Sequence, residues 1–128
     1  MVGKSDDQFA YVLCEYCDGG SLVNYLMKHS CRLTEPQIVE CMLQICNGLE
    51  HIHSFNIAHR DIKVENILVS YPENGDITRP CFKVGDFGSA SKDHSIDFTQ
   101  AAKKDIGKFL EKIEKQCTRM YRAPEMID

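Results

Sequence analysis

The chain has 128 residues, of which 43% are hydrophobic and 27% are charged, the size and composition of one ordinary globular domain. Its formal net charge of −4 excludes nucleic-acid binding through bulk positive charge, so we expect no nucleic-acid partner. No apolar run approaches the roughly 18 residues of a membrane-spanning helix, and the polar first residues are unlike a signal peptide, so we expect a soluble, cytoplasmic protein without a transmembrane segment.

The first predicted element is a strand, because the residues from Gln8 to Cys17 form a short apolar and aromatic run. The turn residues Asp18-Gly19-Gly20 end this run. Ser21 then suits the N-cap of a short helix, whose apolar positions are Leu22, Val23, Leu26 and Met27.

A second, longer helix is predicted to start at Thr34. Thr34 and Gln37 have the spacing of a capping box, and Pro36 lies in the first turn, where its missing N–H costs no hydrogen bond. Apolar residues then recur at intervals of three and four, at Ile38, Val39, Met42, Ile45, Cys46, Leu49 and Ile52. We therefore expect one face of this helix to be buried.

After Asn56 the pattern changes to a loop followed by two strands. Ile67–Ser70 and Cys81–Val84 have strand character, and the polar residues 72–76 form a turn between them. This order predicts a hairpin with an enlarged, polar tip. Further along, helical spacing predicts an amphipathic helix of three or four turns, with apolar residues at Ile106, Phe109, Leu110 and Ile113.

The chain contains seven cysteines, an odd number. Cys14 and Cys17 form a C-x-x-C pair, which suits half of a zinc site or a redox pair. A zinc site would need a second close pair of Cys or His, and no pair in the sequence has convincing spacing. We therefore expect free thiols that are mostly buried and behave as small apolar side chains.

One short loop concentrates residues that suit phosphoryl chemistry. Asp61 supplies a carboxylate that can accept or orient a hydroxyl proton, and Lys63 supplies an ammonium that can neutralise a transferring anion. Asn66 and, twenty residues later, Asp86 supply oxygen atoms of the kind that ligate Mg²⁺ carrying phosphates. The alternative is a polar loop without a particular purpose.

Three motifs in order make that alternative improbable. Residues 59–66 match H-R-D-x-K-x-x-N at five positions, which chance produces on the order of 10⁻⁷ times per start position. Residues 86–88 read D-F-G and residues 123–125 read A-P-E. The set resembles the signature of eukaryotic-type protein kinases, and the resemblance covers Phe9 to Glu125.

The resemblance implies roles for the catalytic loop. Asp61 would accept the substrate hydroxyl proton, and Arg60 belongs to the same catalytic motif. Lys63 matches the lysine with which serine/threonine kinases contact the γ-phosphate, and Thr118 matches the threonine that hydrogen-bonds near this aspartate and lysine. Transfer to serine or threonine is therefore implied, with ATP and Mg²⁺ as cofactors. The implied Mg²⁺ ligands are Asn66 and Asp86.

The resemblance also implies an ATP site. Cys14 would be the gatekeeper of the hinge, and the backbone of Glu15 and Cys17 would bind adenine. Leu68 would form the floor beneath the purine ring.

The implied fold is α+β and kinase-like, a mainly helical large-lobe portion with a hinge strand and a β-ribbon that carries the catalytic loop. Residues 1–128 contain no glycine-rich phosphate loop and no strand lysine, and they lack the C-terminal helices of the family. We therefore expect a partial kinase domain without measurable activity on its own. The alternative function is a pseudokinase-like or truncated, non-catalytic binding module. The presence of Asp61, Asn66 and Asp86 favours the enzyme.

Four local features resemble the Numb-associated kinase group, which includes the adaptin-associated and cyclin-G-associated kinases. They are Val64 in the catalytic loop and the segments 17–23, 88–90 and 120–126. This closer resemblance implies substrates with Ser or Thr hydroxyls among proteins of endocytic or vesicle traffic.

Overall fold

The computed structural model describes residues 2–4, 10–92 and 103–124. Its first unit is a two-stranded antiparallel sheet of β1 (Val2–Lys4) and β2 (Ala10–Val12). The strand predicted from Gln8 to Cys17 is therefore shorter than expected. Residues 8 and 9 lie outside the described residues, and residues 13–17 are not in a strand. An apolar run indicates strand character, but a strand ends where its pairing partner ends, and β1 is only 3 residues long.

A second sheet has three antiparallel strands in the order β3 (Gly20–Ser21), β4 (Ile67–Ser70) and β5 (Cys81–Val84). The strands β4 and β5 are the predicted hairpin with the predicted bounds, and they pair in register from Ile67 with Val84 to Ser70 with Cys81. The loop that holds residues 59–66 enters this hairpin directly. The hairpin therefore fixes the C-terminal end of the candidate catalytic loop.

Three α-helices complete the described structure, and all three were predicted. They are α1 (Leu22–Lys28), α2 (Glu35–Ser54) and α3 (Lys103–Gln116). The capping box of α2 is present, since the Thr34 backbone N–H donates to Gln37 Oε1 at 2.9 Å. No helix in the described part of the chain is both long and apolar enough to cross a bilayer.

The core lies between α1, α2 and the β4–β5 hairpin. Tyr25 of α1 meets Phe82 of β5 edge to face, with ring centroids 5.5 Å apart. Alternation along β4 turns Ile67 and Val69 into this core, where they are 2% and 0% exposed. The remaining buried apolar residues of the cluster are Leu22, Cys41 and Ile45. This packing fixes α2 against β5 and so fixes where the loop between α2 and β4 lies.

The expected buried face of α2 includes only part of its apolar positions. Ile45 and Ile52 are buried, but Val39 and Met42 are 50% and 52% exposed. The predicted apolar positions spread over a wide stripe, and Ile45 belongs to the buried cluster that includes Tyr25 of α1 and Phe82 of β5. Periodicity identifies an apolar stripe, whereas the neighbouring elements decide how much of it is covered.

The cysteines are free, as expected, but they are not mostly buried. Cys41 alone among the seven is buried, three are exposed, and Cys17, Cys81 and Cys117 are partly buried. No group of three or more His, Cys, Asp or Glu residues suited to a metal occurs in the described part of the chain. Nothing in the described structure therefore supports the zinc-site alternative for Cys14 and Cys17.

Candidate active site

The carboxylate of Asp61 is the centre of the candidate site. It lies between α2 and β4, and one oxygen, Oδ1, accepts hydrogen bonds from the Thr118 backbone N–H at 3.0 Å and from the Thr118 hydroxyl at 2.7 Å. The other oxygen, Oδ2, lies 2.8 Å from Lys63 Nζ and accepts from Asn66 Nδ2 at 3.1 Å. A carboxylate has about four acceptor directions, and all four are occupied. The position of Asp61 is therefore determined from two sides.

Lys63 and Thr118 close a triangle with Asp61. The Lys63 ammonium donates to the Thr118 hydroxyl oxygen at 2.8 Å, and that hydroxyl donates onward to Asp61. The Lys63 and Asp61 side chains are 20% and 12% exposed. Charge-assisted hydrogen bonds are about twice as strong as neutral ones, so these contacts order the three side chains relative to one another.

The same contacts set the charge of the site. Burial would raise the pKa of Asp61, but hydrogen bonds from Lys63 and Thr118, together with the charge of Lys63, lower it to about 2. The hydrogen bond to Asp61 raises the pKa of Lys63. Both groups are therefore charged at neutral pH. A carboxylate with so low a pKa is a weak base, which suits orientation of a hydroxyl group better than early removal of its proton.

Asn66 links the catalytic loop to the next segment of the site. It is buried in a 3₁₀ turn that leads into β4, and its amide nitrogen also donates to the Asp61 backbone oxygen at 2.8 Å. The Asn66 backbone oxygen accepts from Gly85 N–H at 2.8 Å. Asp86 follows Gly85 in the chain, so this bond holds the backbone of Asp86 close to Asn66. The side-chain oxygen of Asn66 takes no part in these bonds and is the atom available for a hard cation.

Asp86 has a backbone conformation that few residues adopt. Its φ is 57°, in the left-handed region, where aspartate is tolerated better than most residues. One carboxylate oxygen accepts from Gly88 N–H at 3.1 Å, and the side chain is exposed. The described contacts leave its second oxygen available to a ligand. The bond from Gly85 N–H to the Asn66 backbone oxygen places the segments that carry Asn66 and Asp86 next to each other.

His59 is a site residue that the sequence reasoning did not assign. It is 2% exposed, its Nε2 lies 2.9 Å from the Gly85 carbonyl oxygen, and its Nδ1 accepts from Asp61 N–H at 3.4 Å. These partners favour the tautomer with the proton on Nε2. The Phe87 ring packs against the imidazole at 5.1 Å. His59 therefore joins the loop that contains Asp61 to the segment that contains Asp86. Its position at the start of the H-R-D motif was the sequence feature that could have predicted this role.

Arg60 is near the site but does not contact the carboxylate of Asp61 in the structure. Its φ is 70°, and its Nε donates to the Ser89 carbonyl oxygen at 2.5 Å. Its own carbonyl oxygen accepts from the Cys117 thiol at 2.9 Å. The contacts of Arg60 therefore tie the segment after Asp86 and the segment before Thr118 to the catalytic loop.

The residues predicted to bind the nucleotide, here called the nucleotide side, are more exposed than those around Asp61. Cys14 and Glu15 are exposed, and Cys17 is partly buried, with its carbonyl oxygen accepting from Gly20 N–H at 3.2 Å. The Glu15 carboxylate forms an ion pair with Lys83 of β5. No sequence signal pointed to this pair, because the two residues belong to segments that only the fold brings together.

Leu68, the predicted floor of the ATP site, lies on β4 beside this ion pair, since it pairs across the strands with Lys83. Gly85 lies against it so closely that a Cβ on Gly85 would be 2.8 Å from Leu68 Cδ1. A larger residue at position 85 would therefore displace Leu68 or the segment that leads to Asp86. Glycine lets Leu68 pack directly against this segment.

Comparisons with known proteins identify the family of this chain. Residues 3–128 match the family model described as the protein kinase domain. The Schizosaccharomyces pombe serine/threonine-protein kinase ppk30 is 34% identical over 100% of this chain and 13% of its own length. In Saccharomyces cerevisiae, serine/threonine-protein kinase AKL1 is 37% identical over 91% of the chain and 10% of its own length. Actin-regulating kinase 1 from the same yeast is 34% identical over 92% and 17%. The chain thus spans less than a fifth of each of these relatives.

Proposed function

Because the chain belongs to the protein kinase domain family, we propose that it forms the catalytic-loop portion of a serine/threonine kinase. The reaction is transfer of the γ-phosphate of ATP to a Ser or Thr hydroxyl of a protein substrate. The observation that carries the proposal is the closed triangle of Asp61, Lys63 and Thr118, with distances of 2.7–2.8 Å between side chains. This triangle joins a hydroxyl-orienting carboxylate to a cation that can receive phosphate charge.

The filled coordination of Asp61 suggests how a substrate hydroxyl enters the site. A new donor must replace one of the four present donors, and Lys63 is the best suited to leave. Its ammonium sits on a flexible stem, whereas Thr118 contributes a backbone N–H and Asn66 is buried. In this proposal the negative γ-phosphate attracts Lys63, and the freed oxygen of Asp61 accepts the substrate hydroxyl. Phosphoryl transfer then depends on positioning and electrostatics more than on proton removal.

We propose that Asn66 and Asp86 hold Mg²⁺. The donor set fits, since an amide oxygen and a carboxylate oxygen are hard ligands, and Mg²⁺ takes few protein ligands beside water and phosphate. The Asn66 amide nitrogen is engaged by Asp61, which directs the choice to its oxygen. Mg²⁺ bound there would neutralise phosphate charge.

For the nucleotide base we propose the segment around Cys14, with backbone groups of Glu15 and Cys17 as hydrogen-bonding partners of adenine. Leu68 would lie beneath the ring. Support comes from the anchoring of this segment to the hairpin, through the Glu15–Lys83 ion pair and through the Gly19 N–H, which donates to the Val69 carbonyl oxygen at 2.8 Å. Such anchoring holds the base-binding segment at a constant distance from β4.

The test of the proposed function is a transfer assay with the intact protein, meaning a full-length kinase that contains residues 1–128, because no activity is expected of these residues alone. Three peptides that differ only in a central Ser, Thr or Tyr are incubated with radiolabelled ATP and Mg²⁺. We expect incorporation into the Ser and Thr peptides and at least about tenfold less into the Tyr peptide, because the site positions a short hydroxyl beside Asp61. Binding of ATP without transfer to any of the three would favour the non-catalytic binding module instead.

We further propose membership of the Numb-associated kinase group and a cytoplasmic location. The supporting features are Val64 and the segments 17–23, 88–90 and 120–126. The proposed substrates are proteins of endocytic or vesicle traffic, and the name of one relative, Actin-regulating kinase 1, adds actin-associated proteins to the candidates. Phosphorylation rates of purified proteins from these two classes, compared with a generic serine substrate, test this narrower proposal.

A further inference from the structure

Two neighbouring residues before the A-P-E motif contact two neighbouring residues of the catalytic loop. Thr118 bonds the carboxylate of Asp61 through its N–H and its hydroxyl. One residue earlier, the Cys117 thiol donates to the carbonyl oxygen of Arg60 at 2.9 Å. Residues 117 and 118 therefore bond residues 60 and 61. The sequence led us to expect the contact of Thr118 but not that of Cys117.

The Cys117 bond acts on the peptide group that carries Asp61. The carbonyl of the Arg60–Asp61 peptide accepts from Cys117, and its N–H donates to His59 Nδ1 at 3.4 Å. Arg60 has φ of 70°, a left-handed conformation that is unfavourable for a residue with a Cβ. Contacts on both edges of the peptide oppose its relaxation. Rotation of this peptide would break both contacts and change the direction of the Asp61 side chain.

Cys117 is itself held in place. The Arg122 guanidinium donates to the Glu114 carbonyl oxygen at 2.8 Å and to the Cys117 carbonyl oxygen at 3.5 Å, at the end of α3. The Arg122 side chain is 12% exposed. Between these residues and Asp61 lies a cavity of about 30 Å³, which has room for about one water molecule. Cys117 lines this small space and its thiol bonds the Arg60 carbonyl oxygen, so its effect on the reaction passes through its neighbours.

The thiol has the protonation state that this bond needs. Burial raises the pKa of Cys117, and the neighbouring carboxylate of Asp61 raises it further, against the lowering effect of Arg60 and Arg122. A raised pKa leaves the sulfur protonated near neutral pH, where an S–H is a weak donor.

We propose that Cys117 is a positioning residue for phosphoryl transfer, because its thiol fixes the Arg60–Asp61 peptide and so directs the Asp61 carboxylate toward Thr118. The inference rests on the proposed kinase function and adds to it a residue that never touches ATP or substrate. In this proposal the contribution of Cys117 to kcat depends on the hydrogen bond from its thiol to the Arg60 carbonyl oxygen. A serine at this position can donate the same bond, and an alanine cannot.

The kinetic test compares Cys117→Ala, Cys117→Ser and the matched control Cys46→Ala in the intact protein. Cys46 is an exposed cysteine of α2 and has no part in the site. We expect Cys117→Ala to lower kcat about three- to tenfold, the loss typical of one hydrogen bond, with the KM for ATP within about twofold. Cys117→Ser should recover most of kcat, and Cys46→Ala should match the unchanged protein. Equal kcat for the Ala and Ser variants at position 117 would overturn the inference.

A second measurement separates this inference from the kinase proposal. Hydrogen exchange of the Thr118 amide, which Asp61 protects, should accelerate in Cys117→Ala and return toward the original rate in Cys117→Ser. Exchange of the β4 amides should stay the same in all variants. If the intact protein transfers no phosphate but shows this exchange pattern, the positioning role stands and the kinase function fails. If Thr118 exchange is unchanged in Cys117→Ala, the positioning role fails whatever the activity.

Discussion

The two sides of the candidate site differ in how firmly their residues are held. On the catalytic side, Asp61 has four hydrogen-bond donors, and its partner Thr118 lies 57 residues away in the chain. On the nucleotide side, Cys14 and Glu15 are exposed, and the described anchors are an ion pair and a few backbone bonds.

This difference suggests a division of labour. A group that must meet the transition state gains from being held in advance, because the cost of ordering it is met during folding. A surface that must admit and release a nucleotide gains from open backbone groups and few internal bonds. Substitutions on the catalytic side should therefore affect turnover, and those on the nucleotide side should affect binding.

The largest expected effect is at the centre of the catalytic side. We expect Asp61→Asn in the intact protein to lower kcat at least about 10²-fold while the Kd for ATP stays within a fewfold, because the carboxylate acts mainly in the transition state. Single-turnover kinetics and equilibrium ATP titration measure the two quantities separately. A near-normal single-turnover rate would remove Asp61 from the catalytic role.

The next effect concerns the metal. Asp86→Ala should remove the gain in ATP affinity that Mg²⁺ supplies, so that the ratio of Kd values without and with Mg²⁺ falls to about one, since a charged ligand is lost. Alanine fits the φ of 57° at this position less well than aspartate and loses the bond from Gly88 N–H, so Asp86→Asn, which tolerates this conformation, is measured beside Asp86→Ala. The matched control is Asp76→Ala in the turn between β4 and β5, which should leave the ratio unchanged. An unmutated protein that binds ATP equally with and without Mg²⁺ would contradict the assignment.

A third prediction uses the low pKa of Asp61. Its folded pKa of about 2 lies below its ordinary value of 3.8, so its ionised form stabilises the fold above about pH 4, and this contribution is lost as the pH falls toward 2. The contribution is on the order of 2 kcal/mol. Urea unfolding should show a smaller stability loss over this range in Asp61→Asn than in the unchanged protein. Parallel pH curves for both proteins would mean that Asp61 has no depressed pKa.

The smallest effect is expected on the nucleotide side. Lys83→Met removes the ion pair with Glu15, and the two side chains are 34% and 62% exposed. Exposed pairs contribute little, so we expect a stability loss below about 1 kcal/mol and a change in ATP Kd below about threefold, without a change in kcat. Glu15→Gln should reproduce the result, and the double variant should be no worse than either single one. A large fall in kcat would show that the two sides are not separable.

Much of the fold follows from local sequence patterns. The capping residues Ser21 and Thr34 began helices where expected, and the strands of the hairpin were predicted with their observed bounds. These features depend on interactions within a few residues, which a sequence displays directly. The positions of Asp61, Lys63, Asn66 and Asp86 came from two motifs, and those of Thr118 and the ATP-site residues from the wider family resemblance. Their roles in catalysis and in metal and ATP binding remain proposals.

The sequence by itself thus determined the helices, the hairpin, the kinase motifs and the residues that carry charge at the site. Only the tertiary structure decided that His59 bridges to Gly85, that Cys117 bonds to Arg60, and that four of the seven predicted apolar positions of α2 are exposed. The tertiary contacts join segments 26 and 57 residues apart. Sequence periodicity does not encode such long-range contacts, because they arise from the packing of whole helices and strands. Burial and hydrogen-bond partners follow from that packing.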